Sequence, residues 1–192
     1  MLKKIYFITG NKNKFQTALV AFKDSGFELL QKTIDTPEIQ SDDLGKIASF
    51  SAKFAANILK HPIFLTDAGC FIESLNGFPG PFIKYVNQYL TAQDFLRLMT
   101  GKNNRKVFFK ECLAYCEPGQ NPVLFFSSAE GKISIKSGKQ GQTSINEIFI
   151  PKGLNHPESE IPRKQMIQFW NNNINNVSLL IEYLKNNQQN HH

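Results

Sequence analysis

Residues 3–22 read KKIYFITGNKNKFQTALVAF. The first seven of them, KKIYFIT, are β-branched and aromatic, the composition of a strand. Gly10-Asn11 breaks that run, and beyond it Phe15, Ala18, Leu19 and Phe22 recur at the spacing of one helix face. The chain therefore opens strand, loop, helix, with a polar and basic loop. The order repeats downstream. Residues 28–34 predict a second strand, which Asp35-Thr36-Pro37-Glu38 stops. Leu44, Ile47, Ala48, Ser51, Ala55, Ile58 and Leu59 then predict a helix ending near His61-Pro62, and Ile63-Phe64-Leu65 a short buried strand. Strands alternating with helices predict an α/β fold with a mostly parallel or mixed sheet.

In the second half, Thr91 with Asp94 three residues on starts a helix whose apolar face is Phe95, Leu98 and Met99. Lys106 to Cys116 and Pro122 to Ile135 read as two long strands joined by the turn-rich EPGQN. From Ile161 onward Met166, Phe169, Trp170, Ile174, Val177, Ile181 and Leu184 keep one helical stripe, which makes Trp170 a core residue. The closing NNQQNHH reads as a disordered tail, with His191-His192 as a tag remnant. No internal repeat or linker divides the chain, so residues 1–188 are expected to form one domain and 189–192 a tail.

The 192 residues, 41% hydrophobic and 20% charged, are enough to enclose a core. No apolar run approaches the roughly 20 residues of a membrane span. The basic start MLKKIYFITG lacks a cleavage pattern, so the expected location is cytoplasmic. Cys70, Cys112 and Cys116 are an odd set without metal-ligand spacing, which predicts buried free thiols. A net charge of +6 and a pI near 9.2 favour anionic partners. The lysines are scattered, and basic residues do not interleave with aromatic ones, so a small polyphosphate is a better partner than nucleic acid.

Three segments carry candidate chemistry. In ITGNKNKF (8–15) a strand turns into a helix at Gly-Asn, where helix N–H groups and the charges of Lys12 and Lys14 suit a phosphate; the same pattern also suits an ordinary turn with solvated lysines. In DTPEIQ (35–40) Glu38 stands on a Pro-led loop with no capping role, whereas Asp42 and Asp43 read as caps of the next helix. In FLTDAGCFIESLNGFPGPFIKY (64–85) Asp67 follows a strand, a Gly/Pro turn comes next, and Lys84 stands at a helix start. Asp67 at the end of a parallel strand is placed to be a general base or a metal ligand, or else a turn former.

Taken together, these segments resemble the inosine triphosphate pyrophosphatase family, which hydrolyses nonstandard purine nucleoside triphosphates to monophosphate and pyrophosphate. Thr9 to Lys14 is similar to that family's T/S-x-N-x-x-K motif, and Asp35 to Gln40 to its D-x-P-E-x-Q loop. Leu75, Gly77, Pro79, Gly80, Pro81, Phe82, Ile83 and Lys84 match its L-x-G-x-P-G-P-[YF]-I-K hallmark. The resemblance implies an elongated mixed α/β fold with a central sheet flanked by helices, two lobes with a cleft between them, a homodimer, and Mg2+ held by carboxylates. It implies that Thr9, Asn11, Lys14 and Lys84 bind the triphosphate of a nucleotide substrate, that Lys53 adds a further phosphate contact, that Glu38 and Asp67 bind the metal, and that Asp67 is catalytic. Two departures accompany it. Thr66 stands where the family carries a second acid, and the base-side motifs F-G-W-D-P-x-F and S-H-R have no counterpart in Thr143 to Phe149 or Arg163 to Trp170. The resemblance thus points to a pyrophosphatase of altered base specificity, with a catalytically weak nucleotide-binding or regulatory homologue as the alternative.

Overall fold

The computed structural model describes residues 2–37 and 39–189 and has a mixed α/β fold. Seven strands, β1 (Lys3–Ile8), β2 (Phe27–Lys32), β3 (Ile63–Ile72), β4 (Pro79–Gly80), β5 (Lys106–Cys116), β6 (Val123–Ile133) and β7 (Phe149–Pro151), build one sheet. Its order is β2-β1-β3-β5-β6-β7, with β4 off this path and paired to β3. The helices are α1 (Lys12–Phe22), α2 (Leu44–Leu59), α3 (Ile83–Tyr89), α4 (Ala92–Leu98), α5 (Arg163–Asn173) and α6 (Asn176–Gln189). No helix among the described residues is long and apolar enough to cross a membrane.

The described chain divides into two compact units, the first made of residues 2–67, 112–126 and 175–189, the second of 68–111 and 127–174. In the first, β1 lies between two parallel neighbours, pairing Ile5 with Leu29 and Ile8 with Lys32 on one side and Phe7 with Phe64 on the other. The rings of Phe7, Phe22 and Phe64 stack through the core, at centroid separations of 4.4 and 5.9 Å from Phe64. Ala18 and Phe22 carry the buried face of α1, whereas Leu19, expected on that face, is 40% exposed. On α2 the buried stripe is Ala48, Ala52, Ala55 and Ala56, small side chains that let a helix approach its neighbours closely. Asp43 caps α2, its carboxylate accepting the N–H groups of Gly45 at 2.8 Å and Lys46 at 3.2 Å. Cys112 and Cys116 are buried free thiols in this unit, as is Cys70 in the second.

The second unit packs Ile72, Phe95, Met99, Val107, Ile148 and Phe149 into its core. Gly69 is obligatory there, because a Cβ on it would come 2.8 Å from the carbonyl oxygen of Gly80 on the antiparallel strand β4. Thr91 and Asp94 form a complete capping box on α4. Leu98, expected on the apolar face of that helix, is 43% exposed.

The continuous C-terminal stripe is corrected to two helices. Ile174 is extended, with φ −113° and ψ 94°, and the carbonyl of Asn175 accepts the N–H groups of Ser178 and Leu179 to start α6. Asparagines compete with the helix backbone for hydrogen bonds, and the run 171–173 and 175–176 breaks the helix where the apolar period alone would carry it on. The expected tail is corrected as well, since Asn186–Gln189 belong to α6; the rest of it lies outside the described residues.

Candidate active site

The strand order β2-β1-β3 places β1 where the chain's direction of winding reverses, since α1 leads from β1 to β2 and α2 returns to β3 on the other side. Parallel sheets open their ligand crevice at such a point, beyond the carboxyl ends of the strands. Two of the predicted segments arrive there. Thr9-Gly10-Asn11 follows β1, and Thr66 and Asp67 lie just past the register in which Phe64 pairs with Phe7.

The loop after β1 is tightly determined. The Thr9 N–H donates to the Lys32 carbonyl at 3.0 Å, and the Thr9 hydroxyl accepts the Asn11 N–H at 3.1 Å. Asn11 is the N-cap of α1, its side-chain oxygen accepting the N–H groups of Asn13 and Lys14 at 3.0 Å each. Two of the helix N–H groups expected to await an anion are therefore already satisfied. What Asn11 offers a ligand is the amide nitrogen opposite that oxygen, a donor suited to a phosphate oxygen. Gln31, a residue the sequence reading passed over, donates from its side chain to the Thr9 carbonyl at 2.9 Å and anchors the loop to β2. Its signal was a polar residue inside an apolar strand.

Lys14, on the first turn of α1, donates from its ammonium to the Thr66 hydroxyl at 3.0 Å. This bond ties the basic loop to β3 one residue before Asp67. Asp67 lies within the ten-residue β3 instead of after a short strand, so its backbone is held by the sheet and the turn-former alternative drops out. Its carboxylate is half-buried and is a hard oxygen donor of the kind divalent cations take. Thr66, where the family carries an acid, serves as a neutral acceptor for Lys14. Glu38 lies outside the described residues.

Lys53 is placed differently. Its ammonium donates to the Asn121 side chain at 3.4 Å, on the turn between β5 and β6, and one helical turn later Asn57 accepts the N–H of Gly119 in that same turn. These contacts hold Lys53 beside the turn between β5 and β6. In the second unit Lys84 stands on the first turn of α3 with its ammonium 5.7 Å from the Tyr85 ring centre.

The segments compared with the base-side motifs are also in the second unit. Asn146 is engaged internally: its oxygen accepts the Thr143 N–H and hydroxyl, and its amide donates to Glu158 at 2.7 Å. Trp170 packs against Phe109 and Phe149 and donates its indole N–H to Glu158 at 3.3 Å. Burial pushes the Glu158 carboxyl above its ordinary range, against the opposing pull of the hydrogen bonds from Asn146 and Trp170. Gln165 and Gln168 are exposed on α5.

Comparison with known proteins gives this arrangement its context. The family model described as the Ham1 family matches residues 5–173. The chain belongs to the Ham1 family. A relative from Methanosarcina mazei, named dITP/XTP pyrophosphatase, is 40% identical over 157 residues, covering 82% of this chain and 85% of its own length. A protein of the same name from Methanopyrus kandleri is 37% identical over 158 residues, covering 82% of this chain and 84% of its own length. Among solved structures, the Staphylococcus aureus Ham1 protein superposes with a TM-score of 0.79 at 20% identity, covering 96% of this chain and all of its own. A HAM1 protein from Coxiella burnetii gives 0.76 at 20% identity, covering 98% of this chain and 99% of its own. These structures share the fold. The Ham1 family model spans both the loop after β1 and the segment from Asp67 to Lys84, the two best-kept parts of the motif pattern.

Proposed function

We propose that this Ham1-family chain hydrolyses nonstandard purine nucleoside triphosphates, of the dITP and XTP kind, to the monophosphate and pyrophosphate. The observation that carries the reading is the Lys14–Thr66 tie, which anchors an ammonium to β3 at the residue before Asp67, at the reversal point of the sheet. Relatives named dITP/XTP pyrophosphatase at 40% and 39% identity supply the substrate class, and the alternative of a catalytically weak regulatory homologue is not favoured.

In this reading Asn11 and Lys14 hold the phosphate chain, and the Thr9 hydroxyl keeps the loop in shape. Asp67 orients a water in line with the α-phosphorus and takes its proton as the water oxygen bonds to phosphorus. The bridging bond to the β-phosphate breaks and pyrophosphate leaves. Ham1-family pyrophosphatases use a divalent metal; Mg2+ would be held by Asp67, with Glu38 added on the family motif alone, and would neutralise charge on the phosphate oxygens. Lys84 also enters on the motif alone, as a further phosphate contact. A homodimer and a cytoplasmic location complete the proposal.

The test is pyrophosphate release from a panel of nucleoside triphosphates, with and without Mg2+. Asp67→Asn should lower kcat by at least about 10²-fold, the scale of a lost general base, while nucleotide binding persists. Turnover in that variant within a few-fold of the wild type would remove Asp67 from the chemistry.

A further inference from the structure

The molecule's charge is unevenly divided. The sequence segments of the second unit carry twelve Lys and Arg against seven Asp and Glu, those of the first ten against nine, so nearly all of the net +6 belongs to the unit that lacks Asn11 and Lys14. A phosphate grip on the first unit does not account for that excess. Much of it gathers around a single cavity of about 470 Å³ in the second unit, lined by Arg105, Lys106, Lys132 and Lys152 with Glu130 as the only acid.

The sheet explains how they meet. Lys132 pairs with Ile150 and Gly131 with Pro151 across the antiparallel β6 and β7. Alternation along β6 therefore turns Glu130 and Lys132 to one face, with Lys152 opposite Glu130. Gly131 turns to the other face, where a Cβ would strike the Phe149 ring and the Ile150 carbonyl, so the two strands close tightly only with glycine. Glu130 holds Lys152 at 2.8 Å and Lys106 at 4.0 Å, positioning two ammonium groups while cancelling one charge. The Arg105 guanidinium is committed to the carbonyls of Ile133 and Ser134 but keeps its charge beside the cavity. Lys132 is exposed and lines the cavity. The lining contains no aromatic side chain on which a base could stack, which argues against a nucleic-acid strand. The volume lies within the roughly 300–1,000 Å³ of small-molecule sites.

We propose that this cavity is a second anion site, which takes a di- or triphosphate group independently of the catalytic one. The proposal stands whether or not the chain is a pyrophosphatase. Amide-resolved NMR titration of the full chain with inorganic pyrophosphate and tripolyphosphate, against sodium chloride at matched ionic strength, tests it. Saturable shifts are expected at Gly131, Lys132 and Gly153. Lys132→Glu with Lys152→Glu should weaken that curve by at least about tenfold, the effect of losing charge-assisted hydrogen bonds, while Lys14→Ala leaves it in place. Both lysines are exposed, and the corresponding alanine variants repeat the test with less perturbation. A non-hydrolysable nucleoside triphosphate distinguishes the source: affinity equal to tripolyphosphate means that the phosphate chain alone is bound, and tighter affinity with the same residues shifting means that the nucleoside adds contacts. Shifts no different from those in sodium chloride would overturn the proposal, as would an oligonucleotide binding in place of the small anions.

Discussion

At the scale of single residues the site depends on the anchoring of Lys14 to β3. The Lys14 ammonium is anchored by the neutral Thr66 hydroxyl, whereas an acid at position 66 would form an ion pair with it. Lys14→Ala should raise KM by about ten- to a hundredfold, the value of a charge-assisted bond or two, and Thr66→Val, which removes only the anchor, by a smaller factor. Steady-state kinetics on the preferred triphosphate checks the order; equal losses would mean that Thr66 itself touches the substrate. A second residue-level expectation concerns Glu158. Its carboxyl is raised in the folded protein, so the native state holds that proton more tightly than the unfolded chain does. The resulting stabilisation is fully present below the ordinary glutamate value of about 4.3 and is lost as pH rises through the higher folded value. The melting temperature of the wild type relative to Glu158→Gln should therefore fall between about pH 4 and pH 7. Parallel melting profiles across that window would refute the shift.

At the scale of elements, capped ends were legible and changes of direction were not. Asp43 was readable as a cap before α2, and Asp43→Ala should cost about 1 kcal/mol in chemical denaturation while Asp43→Asn costs a few tenths, because asparagine caps nearly as well. Equal losses for both would point to the charge instead of the cap. The first strands and helices could be read because their apolar periods agree with their turn residues. The length of β3 could not: Thr66-Asp67-Ala68 is polar and small, and its own composition does not announce the ten-residue strand that runs through it within the sheet. The break at Ile174 was hidden because the apolar stripe continues through it on both sides. Lys53 shows a related limit. Helical period gives the face a lysine occupies, but not a tertiary contact such as that with Asn121. The loop after β1 was the most legible part of the site, because a Gly-Asn start to a helix leaves few geometries open.

At the scale of the whole molecule, the same motif that delivers Lys84 leaves a run of aromatic rings in water. Phe78 and Phe82 are each 41% exposed, Tyr85 48% and Tyr89 80%, all within twelve residues of the second unit. Scattered exposed apolar side chains are normal for a soluble protein, but large rings concentrated on and before one short helix mark a surface suited to association. A two-fold dimer is the economical solution, since an isologous contact presents the same patch twice and buries it on both chains. Tyrosines suit such a contact because they bring large area at low entropic cost and keep a polar tip for the rim. Sedimentation velocity of the wild type should thus give a dimer at micromolar concentration, and Tyr85→Glu with Tyr89→Glu should shift it to monomer by placing two charges in an apolar contact. The residues proposed to grip phosphate from the first unit, Asn11 and Lys14, come from one chain, so the monomeric variant should still bind a triphosphate. A wild type that sediments as a monomer at every concentration, or a variant that stays dimeric, would move the association surface elsewhere.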